Sequence, residues 1–172
     1  MTASTSKTAV YTGSFDPVTL GHVNIIERSS SLFDELIIGI GVNSEKRSLF
    51  SLDERVSFLE QVTVNLSNVR IETFAGLAVE FVHRCQARVM VRGVRPLTDI
   101  SAEFTMMMAN HHLAPEIETI FLMADEELAH VSSSLIKQIA PLSDNQMLAK
   151  FVPAVIIPNL RKRLSESTPT RL

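Results

Sequence analysis

The chain has 172 residues, 45% of them hydrophobic, and a net charge of −3. That length and apolar content suit one domain with a sizeable core, so residues 1–172 are expected to form a single unit with flexible ends at 1–7 and 165–172. The acidic balance supplies no overall basic field for nucleic acid, so an anionic ligand must be met by local positive groups. Met1–Lys7 lacks a signal-peptide core and no apolar run is long enough to span a bilayer, from which a soluble, cytoplasmic protein with no membrane partner is expected. The single cysteine, Cys85, excludes an internal disulfide and reads as a small core hydrophobe in a reducing compartment.

Thr8–Tyr11 is a short β-prone run, and Thr12–His22 follows as a strand-to-helix turn. Gly13 lets backbone approach a ligand, Pro17 punctuates the loop, and Val23, Ile26 and Phe33 recur at helical spacing beyond it. The free N–H groups of a helix starting near Gly21 would face an anion, with Ser14 and His22 beside it. Glu35–Val42 is nearly continuous in apolar residues, as a parallel strand covered on both faces requires. Asn43–Phe50 is a polar loop presenting Glu45, Lys46 and Arg47. Ser51–Glu54 has capping-box form, with Val56, Leu59, Val62 and Leu66 on one face of the helix it starts.

Asn68–Phe74 is a third strand; Gly76 breaks it, and Leu77, Phe81 and Cys85 fall in register on a helix to Gln86. Arg88–Val91 is a fourth strand ending in the loop Arg92–Pro96. Asp99 begins a helix predicted to bury a stripe of Ile100, Phe104, Met107, Met108 and His111. Glu118–Met123 is a fifth strand, Ser132–Ser134 cap a helix over Leu135–Ala140, and Val152–Leu164 reads as a last amphipathic helix.

Strands alternating with helices predict an α/β fold: a Rossmann-like, doubly wound five-stranded parallel sheet with a C-terminal helical tail. Right-handed crossovers place every strand-to-helix loop at one sheet edge, where ligands bind at the reversal of strand order. Those loops carry Ser14, His22, Lys46, Arg92, Arg95 and Ser132–Ser134, a set that suits a polyphosphate. By spacing alone Lys46 reads as a solvated surface lysine, while Glu103 reads equally as a helix-face charge and the serines as caps. His83, His111, His112 and His130 show no metal-ligand spacing, and Met106–Met108 reads as core or subunit contact.

Thr19-x-Gly21-His22 matches the (H/T)xGH signature of the nucleotidyltransferase superfamily. Gly13-Ser14-Phe15-Asp16-Pro17, Asp34, Phe50-x-Leu52-x-Glu54-Arg55, Arg92-Gly93-x-Arg95 with Asp99 and Glu103, Asn110-x-His112-Leu113 and Ser132-Ser133-Ser134-Leu135-x-Lys137 extend the match from Thr8 to Leu164. Together they resemble phosphopantetheine adenylyltransferases. The resemblance implies attack by the phosphate of 4′-phosphopantetheine on the α-phosphorus of ATP, with Mg²⁺ accompanying ATP and no dedicated metal site, in a homohexamer. It implies His22 as transition-state stabiliser and Lys46, Ser14 and Arg92 as further catalytic groups. ATP contacts would come from Ser14, Phe15 and His22, from Gly93, Val94, Arg95 and Glu103, and from Leu128, Ala129, His130, Val131, Ser132, Ser133 and Ser134. Acceptor contacts would come from Ser14, Lys46, Leu77, Ala78, Arg92 and Asn110. Another nucleotidyltransferase of the superfamily, or a catalytically silent nucleotide-binding protein, stands as the alternative.

Three segments depart from the family pattern. Tyr11-Thr12 stands where relatives usually have a residue followed by proline. Asp99–Glu103 lacks an acid and two aromatic rings, and Leu128-Ala129-His130-Val131 replaces an aromatic-Ser-Phe-Ile/Val run.

Overall fold

The computed structural model describes residues 7–42, 47–94 and 100–167. Five strands, β1 (Thr8–Gly13), β2 (Glu35–Val42), β3 (Val69–Ala75), β4 (Val89–Val94) and β5 (Glu118–Met123), form one sheet in which every pairing is parallel. The helices are α1 (Leu20–Leu32), α2 (Leu52–Val62), α3 (Ala78–Arg84), α4 (Ile100–Leu113), α5 (Ser133–Ile139), α6 (Asn145–Leu148) and α7 (Ile157–Ser167). Strand order β3-β2-β1-β4-β5 means that the chain winds from β1 out to one edge, returns to the centre and winds out to the other. This is the doubly wound Rossmann-like sheet expected from the alternating pattern.

The apolar runs explain the layers. Leu36, Ile37, Ile38 and Ile40 of β2 are all fully buried. Leu36, Ile38 and Ile40 pack with Ile25 and Ile26 of α1, Phe58 and Leu59 of α2 and Ile136 of α5, while Ile37 joins Val10, Met90 and the α3 residues Val79, Phe81 and Val82 on the opposite face. A strand covered on both sides needs a continuous apolar run, each large side chain contributing about 1.5–3 kcal/mol. Helix α2 begins where its capping box predicts: Glu54 N–H donates to Ser51 Oγ at 3.2 Å and Ser51 N–H to the Glu54 carboxylate at 2.7 Å.

Four sequence expectations need correcting. Strand β4 continues to Val94, so Arg92 and Gly93 are strand residues paired with Phe121 and Leu122 and not loop residues. Leu77 is the exposed N-cap of α3, and the buried face of that helix is Val79, Phe81 and Val82. None of the proposed stripe on α4 is buried: Ile100, Phe104, Met108 and His111 are exposed and Met107 is half-buried. The residues turned towards the body are Glu103, Met107 and Asn110. Helix α4 is apolar around most of its circumference, so periodicity defines no single inner face, and the ion partner of Glu103 selects it. The last helix begins only at Ile157, after the short α6 and a 3₁₀ turn at Ala154–Ile156, with Pro158 in its first turn where a missing N–H costs nothing. Arg161 ties α7 down by donating to Ala140 O at 2.6 Å, to Asn145 Oδ1 at 2.9 Å and to Ser143 O.

Candidate active site

The order reverses between β1 and β4, and a cleft of about 290 Å³ opens there. Tyr11–Ser14 of the β1 end, Thr19, Gly21 and His22 of α1, Arg92–Val94 of β4, Glu103 of α4 and Ser132–Ser134 at the start of α5 line it, with Leu128 and Val131 beside them.

The turn after β1 is built to hold one imidazole. Thr19, fully buried, caps α1: its Oγ1 accepts from His22 N–H at 3.3 Å, and its own N–H donates to His22 Nδ1 at 3.0 Å. An Nδ1 that accepts a backbone N–H leaves the proton of the neutral ring on Nε2, so the fold assigns the tautomer. Phe15, at φ 48°, turns its ring into the core, where it meets Tyr11 and His22 edge-on at centroid distances of 5.4 and 5.1 Å. Phe15 thus backs the imidazole; its side chain does not line the cleft.

Buried polar groups hold that turn to its surroundings. The Asp16 carboxylate accepts Leu49 N–H at 2.8 Å, Phe50 N–H at 2.9 Å and Lys137 Nζ at 2.6 Å. Arg55, only 5% exposed, donates to Ser14 O at 2.9 Å, and Ser133 Oγ to Pro17 O at 2.8 Å. Across the cleft, Asn24 and Asp125 exchange hydrogen bonds of 2.7 and 3.2 Å, and Arg28 reaches Met123 O, joining α1 to the segment after β5.

Arg92 is the described cation of the cleft. Nε and Nη2 donate to the two Glu103 oxygens at 2.8 Å each, and Nη1 to Thr12 O and Oγ1 at 3.0 and 2.9 Å. Burial opposes its charge, but the bonds and charge of Glu103 outweigh that cost and hold the guanidinium above its ordinary pKa. Burial also raises the pKa of the Tyr11 phenol far above its usual value, so this hydroxyl is neutral. A Cβ on Gly93 would stand 3.0 Å from Tyr11 Oη and 3.3 Å from Ile25 Cγ1; only glycine keeps this wall of the cleft open.

A cytidylyltransferase-like family model matches residues 10–139. Phosphopantetheine adenylyltransferase of Rhodopirellula baltica is 64% identical over 158 residues, covering 91% of this chain and 88% of that protein. The chain belongs to the phosphopantetheine adenylyltransferase family. Phosphopantetheine adenylyltransferase of Clostridium botulinum is 43% identical across 92% of this chain and 96% of its own length. The solved nicotinic acid mononucleotide adenylyltransferase of Plasmodium falciparum is alike in fold, with a TM-score of 0.60 at 13% identity over 92% of this chain and 96% of that one.

The structure brings together most of the residues that the family resemblance named, and places the rest elsewhere. Ser14, His22, Arg92, Gly93, Val94, Glu103, Leu128, Val131 and Ser132–Ser134 share the cleft of this phosphopantetheine adenylyltransferase fold. Lys46, Arg95 and Asp99 lie outside the described residues. Leu77 and Ala78 begin α3 beyond β3, and Asn110 turns its Nδ2 towards Met90 Sδ at 3.8 Å; none of the three lines the cleft. Ala129 is half-buried and His130 stacks edge-on against Phe151 at 5.9 Å, both away from it. Thr12, Asp16, Thr19, Arg55 and Lys137 are supports to which sequence reasoning assigned no role. Asp16, Arg55 and Lys137 lie within motifs that carried the resemblance and Thr19 within the superfamily signature, but the motifs did not say what those side chains hold.

Among the described residues no group of three His, Cys, Asp or Glu side chains could hold a metal ion. Glu103, the cleft carboxylate, is engaged by Arg92. These side chains therefore offer Mg²⁺ no ligand set of their own.

Proposed function

We propose that this protein transfers the adenylyl group of ATP to 4′-phosphopantetheine, giving dephospho-coenzyme A and pyrophosphate. The acceptor phosphate oxygen bonds to the α-phosphorus while the bond to the β-phosphate oxygen breaks, and pyrophosphate leaves. Such a transfer needs two anions held in line and donors aimed at the equatorial oxygens of the transition state. The arrangement of His22 supports this reading above all: Thr19 N–H holds its Nδ1 and the Phe15 ring backs it, so the imidazole is held in one orientation at the wall of the cleft. In this reading His22 donates to the α-phosphate oxygens, Arg92 holds the acceptor phosphate, Ser14 contacts both substrates and Lys46 neutralises the incoming phosphate. Gly93–Arg95 and Leu128–Ser134 receive the nucleotide, and Leu77, Ala78 and Asn110 belong to the acceptor side. Glu103 belongs to the nucleotide side. Mg²⁺ enters as part of the substrate, on the phosphate oxygens of ATP.

In the same reading the protein is a cytoplasmic homohexamer. Among the described residues no helix is long and apolar enough to cross a membrane. Self-assembly draws support from α4 and β5, which expose Ile100, Phe104, Met106, Met108, Leu113, Ile120 and Met123 along one edge of the sheet. The net charge of −3 supplies no overall basic field, which supports a protein without a nucleic-acid partner.

The test is pyrophosphate release from Mg·ATP with 4′-phosphopantetheine, nicotinamide mononucleotide or glycerol 3-phosphate as acceptor, alongside His22→Ala. Release with phosphopantetheine alone, reduced about 10²–10³-fold in the variant, is the expected result. Release with a different acceptor refutes the substrate, and ATP binding with no release refutes the enzyme.

A further inference from the structure

We infer that Thr12 is a positioning residue for Arg92, and through it a determinant of acceptor affinity. This deepens the proposed function and rests on the reading that Arg92 holds the acceptor phosphate. An arginine has five N–H donors in a rigid plane, so fixing two edges of the plane fixes the third. Glu103 takes Nε and one Nη2 hydrogen. It is one side chain on a helix, and alone would let the ion pair pivot as a unit. Nη1 is held from the opposite side by Thr12, whose carbonyl and hydroxyl oxygens accept at 3.0 and 2.9 Å. Four of the five hydrogens are thereby engaged among the described residues, and one Nη2–H is left for a ligand.

Thr12 can do this because of where it stands. Tyr11 of β1 pairs with Val91 of β4, so Thr12 and Arg92 are the next residues along two adjacent central strands. Thr12 is 4% exposed, whereas the Arg92 side chain is 26% exposed and reaches the cleft. The anchor is therefore dry and rigid, and the anchored group is accessible.

The experiment measures KM and kcat for both substrates in Thr12→Val, which keeps the shape and removes the hydroxyl. Thr12→Ala runs beside it, so that a folding failure of one variant does not leave the question open, and each is checked by urea unfolding. A rise of about five- to tenfold in KM for 4′-phosphopantetheine is expected, with kcat and KM for ATP within about twofold. Thr12→Ser should restore KM, and in an Arg92→Ala background Thr12→Val should add nothing. The same rise in both backgrounds, failure of serine to rescue, or a fall in kcat at constant KM overturns the inference and leaves Arg92 in its role. An Arg92→Ala variant with unaltered KM for phosphopantetheine overturns the Arg92 assignment and the inference together.

Discussion

Asp16→Asn tests whether the turn after β1 is held by one carboxylate. The carboxylate is almost inaccessible, its side chain 5% exposed, and three donors converge on it: two backbone N–H groups and Lys137. Asparagine is the same size but presents one acceptor oxygen and one NH₂. Its better orientation keeps the oxygen towards Leu49 N–H and Lys137 and sets the amide nitrogen against Phe50 N–H. One buried donor then loses its partner, at about 1–3 kcal/mol, and the two retained bonds lose the charge of the carboxylate. The expected loss is about 2–4 kcal/mol in urea unfolding followed by circular dichroism. Lys137→Met should cost less, because the lysine is 37% exposed and is rehydrated when unpaired, while Asp16 keeps both backbone donors. Activity should fall about tenfold in Asp16→Asn, since the link from Leu49–Phe50 and α5 to the His22 turn loses its Phe50 bond and the carboxylate charge that tightens the other two. A stability loss below about 0.5 kcal/mol, or a larger loss in Lys137→Met than in Asp16→Asn, would refute the reasoning.

Gly39→Ala should cost at least 1–3 kcal/mol, because a Cβ there would lie 2.3 Å from Phe81 Cε1 in a central strand that cannot shift; Phe81→Leu should recover part of the loss, and equal stability of Gly39→Ala and wild type would contradict this. Burial raises the Glu54 carboxyl pKa, but the Ser51 N–H and the Arg163 guanidinium outweigh that effect and bring it below the ordinary glutamate value. A depressed folded pKa stabilises above the unfolded value of about 4.3 and is lost as pH falls through the folded one. The stability gap between wild type and Glu54→Gln should therefore be present at pH 6, no more than about 1 kcal/mol for this partly exposed pair, and should close below about pH 4; a gap independent of pH would exclude the mechanism. Phe104→Glu should lower the assembled mass in light scattering without unfolding the chain, and a single-chain mass for the wild type would remove the basis for assembly through α4.

The fold was legible because β2 is apolar on both faces and because helices such as α2 and α5 carry start signals. Ser51 and Glu54 announced α2, and the run at Leu36–Ile40 could only be a covered parallel strand. Thr19-x-Gly21-His22 announced the site through its match to the superfamily signature, and the structure adds that the two residues form one reciprocal cap. Helix α4 was illegible for a physical reason: with Ile100, Phe104, Met106 and Met108 all apolar, pattern alone could not show that Glu103, a charge, faces inward. Leu77 was misread because α3 starts one residue later, and its apolar periodicity begins at Val79. Asp16, Arg55 and Lys137 are individually ordinary residues, and their convergence depends on separations of 33 to 121 positions that no local pattern encodes.

Those long-range bonds also decide how the cleft treats its anions. Among the described residues three cations stand around the β1 turn, yet Arg55 is directed at a carbonyl behind the cleft wall, Lys137 is paired with Asp16, and Arg92, the one that lines the cleft, is neutralised by Glu103. Net positive charge is therefore not what the described cleft offers. It offers oriented donors: an imidazole N–H of fixed tautomer and a guanidinium gripped on two edges. Donors already oriented need no reorganisation when charge develops in the transition state, whereas free charges would bind the substrates and the pyrophosphate product more indiscriminately. A chain with a net charge of −3 can thus serve a reaction between two anions, because the acidic side chains nearest the cations are the ones that aim them.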